Sequence, residues 1–261
     1  MINANGVRFR HHTSQLSPGM YAALHCHNAF ELIYVVSGDL AHVVEGRKYL
    51  LRAGHLALVR PSTYHYLQVL SEEPYERYNI LFDPEQHGIP AAMQLPKEME
   101  VMDLSGNSLL TDLFARMDVY AQADGESFDT LMRLLLNELC MNLLLFPGGK
   151  QQEQTALSPL LTRTLEYISE NLFMLQNVEQ VAQALYISPS YLYALFRETL
   201  RQTPQKYIRD KRLLAAQRRL RAGDKPTVVS RECGFREYAT FYRNYLAFFG
   251  HSPSEEYREK G

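Results

Sequence analysis

The chain has 261 residues, of which 46% are hydrophobic and 21% charged, with a net charge of −2. That length supplies one large domain or two ordinary ones, and the composition excludes a disordered or fibrous chain. Cys26, Cys140 and Cys233 are odd in number and show no paired spacing, which excludes a disulfide framework and fits a reducing compartment.

The small net charge hides an asymmetry. From Ala156 onward 16 Lys/Arg stand against 11 Asp/Glu, a net of +5; before it 11 stand against 18, a net of −7. A basic C-terminal part suits a polyanion and an acidic N-terminal part does not. The chain opens with no basic-then-apolar leader, so export is not expected. Its longest apolar run, Leu134–Phe146, is broken by Asn137, Glu138 and Asn142 and is too short for a bilayer. A soluble, cytoplasmic protein with no membrane partner is the expectation.

Residues 1–20 carry few periodic cues and read as an arm. From Tyr21 to Phe82 the texture is β. Alternating runs at Glu31–Ser37, Leu40–Glu45, His55–Val59, His65–Leu70 and Tyr75–Phe82 are separated by Gly, Pro and Ser turns. Short strands at this spacing predict a sandwich or barrel. Within it stands His25-Cys26-His27-Asn28-Ala29-Phe30-Glu31, with Gly38 seven residues on. Strand side chains alternate, so His25, His27 and Glu31 share one face. Gly54, Pro61 and His65 bring a further histidine on a later strand. Tyr34, Tyr64, Tyr66, Arg60 and Glu45 are candidate lining residues, and parity alone does not choose among them.

Residues 83–106, with Pro84, Pro90 and Pro96, read as irregular and as the end of the barrel. Helices are predicted at Ser108–Gln122 and Glu126–Phe146. The second is apolar around most of its girth and needs cover on more than one side. Residues 147–157, beginning Pro147-Gly148-Gly149, read as a linker. They separate a sensing and dimerisation domain at 1–146 from a helical domain at 158–261, which opens with a helix at Pro159–Asn171.

Two copies of one pattern then follow about fifty residues apart. In the first, Val178, Val181, Ala182 and Leu185 fall on one helical face. Ser188 caps the next helix with Pro189 at its first position, and Leu192, Leu195, Phe196 and Leu200 form its inner face. In the second, Val229, Ser230 and Cys233 precede a Gly234-Phe235 turn. Phe241, Tyr245 and Phe248 face inward, and Gly250 ends the helix. Each copy closes on a Ser/Thr-Pro pair, Thr203-Pro204 and Ser252-Pro253. Two short helices with a tight turn make a helix-turn-helix, whose second helix fits a major groove. The outward residues are Ser190, Tyr193, Ala194 and Arg197 in one copy and Tyr238, Ala239, Tyr242 and Arg243 in the other. Arg197 and Arg243 can pair bidentately with guanine. Glu237 reads as the cap of the second recognition helix. The run Pro204–Ala222 joins the copies over roughly 27 Å, near the ~34 Å of one DNA turn. Its Lys206, Arg209, Lys211, Arg212, Arg218, Arg219 and Arg221 read mostly as a solvated face, with some left for phosphate.

Val178–Tyr207 and Val229–Tyr257 resemble the double helix-turn-helix of the AraC/XylS family of bacterial transcription regulators. The chain departs from the family pattern at Arg201 (usually Gly), Ser230 (usually Ala) and Leu246 (commonly Lys), and by one extra residue between Pro253 and Tyr257. The N-terminal motif resembles the first cupin motif closely and the second in part, lacking the Gly between Pro61 and His65. The resemblance implies an α+β, two-domain protein: a cupin-like barrel with a helical pair, then an all-α double helix-turn-helix. It implies promoter DNA, a small-molecule effector at His25, His27, Glu31 and His65, a homodimer paired through the helix near 126–146, and RNA polymerase as a further partner. Metal-bearing cupins place a divalent ion on such residues; sensor barrels often keep them without one. The expectation is therefore a ligand-controlled regulator, not an enzyme and without a cofactor. A metal-dependent cupin enzyme fused to a DNA-binding module stands as the alternative.

Overall fold

The alternating runs of the N-terminal half form strands, and the 3.6-residue stripes of the C-terminal half form helices. The computed structural model describes residues 2–4, 7–20, 22–123, 125–146 and 157–258. The chain divides into two units, Met1–Thr155 and Ala156–Gly261. Most of the expected linker, residues 147–156, lies outside the described residues.

The first unit runs β1 (Ile2–Ala4), β2 (Val7–Ser14), β3 (Phe30–Ser37), β4 (Leu40–Val44), β5 (Arg47–Leu51), β6 (His55–Val59), β7 (His65–Val69) and β8 (Tyr75–Phe82). It continues through α1 (Pro90–Gln94), β9 (Val101–Asp103), α2 (Ser108–Tyr120) and α3 (Gly125–Leu145). Six strands pair in the order β1-β2-β8-β3-β6-β9, and three in the order β5-β4-β7, all antiparallel. The two sheets face each other across an apolar layer that includes Ile33, Val35, Leu40, Tyr49, Leu67, Val69 and Tyr75. The outer face of the larger sheet packs on α1, α2 and α3 through Phe9, Leu32, Tyr34, Tyr78, Phe114, Leu135 and Leu139, among others. A strand buried on both faces reads as continuous apolar sequence, which is the texture of β3. Gly38 turns β3 into β4 with a φ of 86°, and a Cβ there would stand 2.6 Å from that of Tyr75, so the turn needs glycine.

Two expectations change. Val7–Ser14 is no arm: it pairs with β8 from Arg8↔Leu81 to Ser14↔Tyr75. Its alternation of Val7 and Phe9 against Arg8 and Arg10 is short and is followed by two histidines, which hides the period. Residues 83–106 are not wholly irregular, since they hold α1 and β9, and β9 adds to the sheet edge beside β6. The expected sandwich or barrel is built as two facing sheets, of six and three strands.

The second unit contains α4 (Pro159–Asn171), α5 (Glu179–Ala184), α6 (Pro189–Leu200), α7 (Pro204–Arg221), α8 (Pro226–Glu232), α9 (Tyr238–Phe249) and α10 (Pro253–Arg258). Ser158, Ser188 and Thr203 each cap a helix that starts with proline, accepting from the backbone N–H three residues on. Gly250 ends α9 with a φ of 80°. Arg201 ends α6 with a φ of 54°, the left-handed conformation that glycine adopts without steric cost. Arg201→Gly should therefore stabilise the protein by about 0.5 kcal/mol, the relieved left-handed strain exceeding glycine's larger unfolded-state entropy. Urea denaturation of the two proteins checks this; a lower midpoint for the variant would mean that the arginine's own contacts dominate.

Candidate nucleic-acid interface and small-molecule site

Helix α6 splits cleanly by burial. Leu192, Leu195, Phe196 and Leu200 are buried, whereas Ser190, Ala194 and Arg197 are exposed and Tyr193 is half-exposed. The outward four, with Pro189, border an open depression of about 370 Å³. Helix α9 repeats the division. Phe241 and Tyr245 are fully buried, and Tyr238, Ala239, Tyr242 and Arg243 are exposed together, the rings of Tyr238 and Tyr242 lying 6.4 Å apart. The structure thus brings each sequence-predicted set onto one open helical face. Glu237 occupies the N-cap position of α9, but its side chain makes no capping bond, so the predicted capping role fails. Among the described residues, neither Arg197 nor Arg243 forms an ion pair, leaving both guanidinium groups available.

Many charges of α7 are paired within the fold, while Arg218 stays exposed as the solvated face expected of the helix. Asp210 is fully buried and accepts from Lys206 Nζ at 2.6 Å and Arg209 Nε at 2.9 Å. Arg219 pairs with Asp224 at 2.7 Å and Glu232 at 2.5 Å. Glu256 of α10 is buried and accepts from Gln217 (3.0 Å), Arg221 (2.5 Å) and Tyr245 (2.8 Å). Burial raises the Glu256 carboxyl, but those three hydrogen bonds and the Arg221 charge outweigh it and hold it below the usual range. Arg212 donates to the carbonyls of Leu172 (2.8 Å), Leu175 (2.5 Å) and Gly234 (2.9 Å). It ties the segment before α5 to the turn before α9. Sequence reading missed this role, because a basic residue on a long helix has no local sign of a distant carbonyl.

The N-terminal candidates converge equally. One ligand atom each from His25, His27, Glu31 and His65 lies within 4.8 Å of the others. The elements explain it: His25 bridges to His65 at the start of β7, and Glu31 lies on β3. Each imidazole is oriented through Nδ1 by a backbone carbonyl, of Ala23 (2.8 Å), Ala29 (3.1 Å) and Thr63 (2.9 Å) for His25, His27 and His65. A carbonyl only accepts, so Nδ1 carries the hydrogen in all three. The Nε2 atoms of His27 and His65 stand 3.0 and 2.7 Å from Glu31 Oε2. Burial raises the Glu31 carboxyl, but the two imidazole hydrogen bonds and charges hold it well below the usual range. Asn79 Nδ2 donates to its other oxygen. Burial and the nearby His65 push His25 down. An imidazole donating from both nitrogens is a cation; one that keeps its Nε2 lone pair meets a carboxylate only through a shared cation. The donor set therefore fits either shared protons or a divalent ion.

Other lining candidates separate. Tyr34 turns to the helices and stacks on Phe114 at 4.1 Å, and Arg60 donates to the carbonyls of Leu95 and Pro96. Glu45 accepts from the Tyr64 amide at 3.0 Å. Tyr66 pairs with Val43 and so has the parity opposite to the inward residues of β7. The sequence reading overlooked His42, Arg77 and His12, which share the inward face; their signal was parity with Leu40, Tyr75 and Arg10 on neighbouring registers.

Comparison with known proteins follows the same division. Residues 11–144 match the family profile described as AraC-like ligand binding domain, and residues 181–260 match a helix-turn-helix domain profile. The chain belongs to the AraC family of transcription regulators. Among its relatives, XylDLEGF operon transcriptional activator 1 of Pseudomonas putida is 31% identical over 107 residues, 40% of this chain and 32% of that protein. Regulatory protein SoxS of Salmonella typhimurium is 33% identical over 97 residues, 37% of this chain and 90% of that protein. The chain thus spans about a third of the length of the Pseudomonas activator and nearly all of SoxS. Over whole chains, an apo structure of ToxT from Vibrio cholerae covers 97% of this chain and 98% of its own, at 11% identity and a TM-score of 0.44. None of the described helices is long and apolar enough to cross a membrane.

In this AraC-family chain Arg212 has a measurable consequence. Arg212→Ala leaves three carbonyls without a donor and should cost about 2–3 kcal/mol. Arg218→Ala, at an exposed position of the same helix, should stay within about 0.5 kcal/mol of wild type. Thermal unfolding of both variants tests the contrast.

Proposed function

We propose that this protein is a sequence-specific, DNA-binding transcription regulator controlled by a small molecule held between the sheets of its N-terminal domain. The supporting observation is the pair of open helical faces, each carrying one arginine free of ion pairs among the described residues. In this reading Arg197 and Arg243 read guanine, and Ser190, Tyr193, Tyr238 and Tyr242 meet bases, thymine methyls or backbone. Ala194 and Ala239 let the helices approach the groove floor. His25, His27, Glu31 and His65 hold the effector, and residues 147–157 link a domain at 1–146 to one at 158–261. RNA polymerase is the partner that activation requires. Arg243→Ala should weaken binding to a selected cognate site by about 1–3 kcal/mol and relax preference at one base pair. Equal affinity of variant and wild type on that site would discard the assignment.

The regulator acts as a homodimer in this reading, and α3 supplies the surface. Leu134, Met141 and Leu145 are 60%, 45% and 65% exposed and lie seven and four residues apart, one stripe on the face away from the buried Leu135 and Leu139. Leu134→Glu combined with Met141→Glu should shift the protein to monomer in light scattering, with its helical circular dichroism unchanged. A monomeric wild type at micromolar concentration would remove this surface from the proposal.

A second reading is favoured by the three fixed Nδ1 hydrogens: the same four residues hold a divalent metal ion. Three imidazoles and a carboxylate suit zinc, iron, manganese or nickel. The ion would supply an electrophilic anchor for an effector oxygen. Metal analysis of purified protein should then give near-stoichiometric metal in wild type and little in His27→Ala. Metal-free wild type, refractory to reloading, would leave shared protons as the state of the cluster.

A further inference from the structure

Beside the histidine cluster lies a second polar group that neither the fold nor the readings above use. Among the described residues, both ring nitrogens of His42, Nδ1 of His12 and Nε of Arg77 are buried without a hydrogen-bond partner. His42 is fully buried. Strand register places the three on the inward side of the two sheets. His12 pairs with Arg77 across β2 and β8, Arg77 pairs with Val35 across β8 and β3, and His42 pairs with Leu67 across β4 and β7. Val35 and Leu67 both belong to the apolar layer between the sheets. The His42 ring meets His65 edge-on at 5.9 Å, and the Arg77 guanidinium lies 5.9 Å from the Tyr75 ring centre. The His12 ring meets Tyr75 edge-on at 6.3 Å.

The charges are unbalanced. Tyr75, which hydrogen-bonds the Arg77 side chain, and Glu31 are the neighbours that favour its charge, and the Glu31 oxygens are already taken by Asn79, His27 and His65. No carboxylate forms an ion pair with Arg77 among the described residues. Arg10, exposed on the same inward side of β2, adds a second cation at the rim. Burial, followed by Arg77 and Arg10, lowers the His12 imidazole to about 4, so it is neutral and offers one N–H, and His42 adds a second imidazole whose ring nitrogens have no partner among the described residues. A guanidinium and two such imidazoles beside an apolar layer complement a monoanion. A dianion would face Glu31 with excess charge.

We propose that Arg77, His12 and His42 form the head-group subsite for a small carboxylate effector, whose apolar body lies against Val35, Leu67, Val69 and Tyr75. The carboxylate accepts from the guanidinium in a charge-assisted pair, with the two imidazoles completing its oxygens. This assignment rests on the effector reading and names the class of molecule that reading leaves open.

The test is calorimetric melting of the full-length protein with matched probes: hexanoate against hexanamide, phenylacetate against phenylacetamide, and glucose as a neutral polyol. At least one acid should raise Tm where its amide does not. Arg77→Gln should weaken that acid by about tenfold or more. His42→Leu, which removes the unpaired nitrogens, should melt higher than wild type without ligand and lose the acid response. That variant keeps the proposal testable if Arg77→Gln fails to fold. Equal shifts from acid and amide, or an acid shift unchanged in both variants, would overturn the subsite while leaving a small-molecule sensor. A shift with glucose alone would do the same. No shift from any acid overturns the subsite, and DNA binding by the same preparation shows whether the regulator reading survives it.

Discussion

The DNA end of this protein depends on Arg212. One guanidinium half-buried in α7 reaches the carbonyls of Leu172 and Leu175 on one side and Gly234 on the other. The two helix-turn-helix units contribute one recognition helix each, and binding both to one duplex requires their spacing to be fixed before DNA arrives. Apolar packing alone sets a distance but tolerates sliding. Directional bonds from a planar fork do not. Gly234 shows how tight the joint is: a Cβ there would stand 2.7 Å from the Phe173 carbonyl and 2.9 Å from the guanidinium carbon. The glycine at this turn is therefore required by the arginine as well as by its own φ of 82°.

The same logic runs through the rest of α7. Asp210 and Glu256 are buried carboxylates, and each is met by two or more donors from neighbouring turns or helices. A buried ion pair contributes little net stability, but it penalises every alternative packing that would leave one partner unpaired. A helix rich in lysine and arginine thus serves first as a strut. In the proposed DNA-binding reading, phosphate contact is left to exposed groups such as Arg218.

How much of this was legible in the sequence follows from how local each cause is. Helix limits at Pro159, Pro189 and Pro204 could be read because a capping Ser or Thr and the proline after it act within four residues. Strand β8 could be read because its alternation is long enough to show its period, and β6 because its short apolar run is bounded by turn residues. Strand β2 was hidden by His11 and His12, which interrupt the alternation, and by its partner β8 lying some seventy residues away. Convergence of His25, His27, Glu31 and His65 was expected from parity along one strand, but it arises otherwise: His25 and His27 precede β3, and His25 bridges to His65. His42 and Arg77 were not expected, since neither stands in a motif and their meaning depends on which face of two different sheets turns inward. Glu237 misled for a related reason: position made it a cap, and its side chain makes no capping bond there.

The two units differ in how they treat buried polarity. In the C-terminal unit, the buried side chains of Asp210 and Glu256 are saturated with partners, and the helices they join present fixed faces. Among the described residues, the N-terminal unit keeps both His42 nitrogens without a hydrogen bond and Arg77 without an ion pair, between two facing sheets. An unpartnered buried donor costs about 1–3 kcal/mol, so this interior is held in a state that a matching ligand would stabilise. Any molecule that completes those bonds gains that difference, and only a molecule of the right charge and size can complete them. Ligand control requires such a difference between states, because a ligand shifts an equilibrium only by its unequal affinity for the two sides. A sensor with every polar group already satisfied would bind its effector weakly or without consequence. The unpartnered donors between the sheets of the first unit and the paired carboxylates of the second are thus each suited to its task, one to respond and the other to hold its shape.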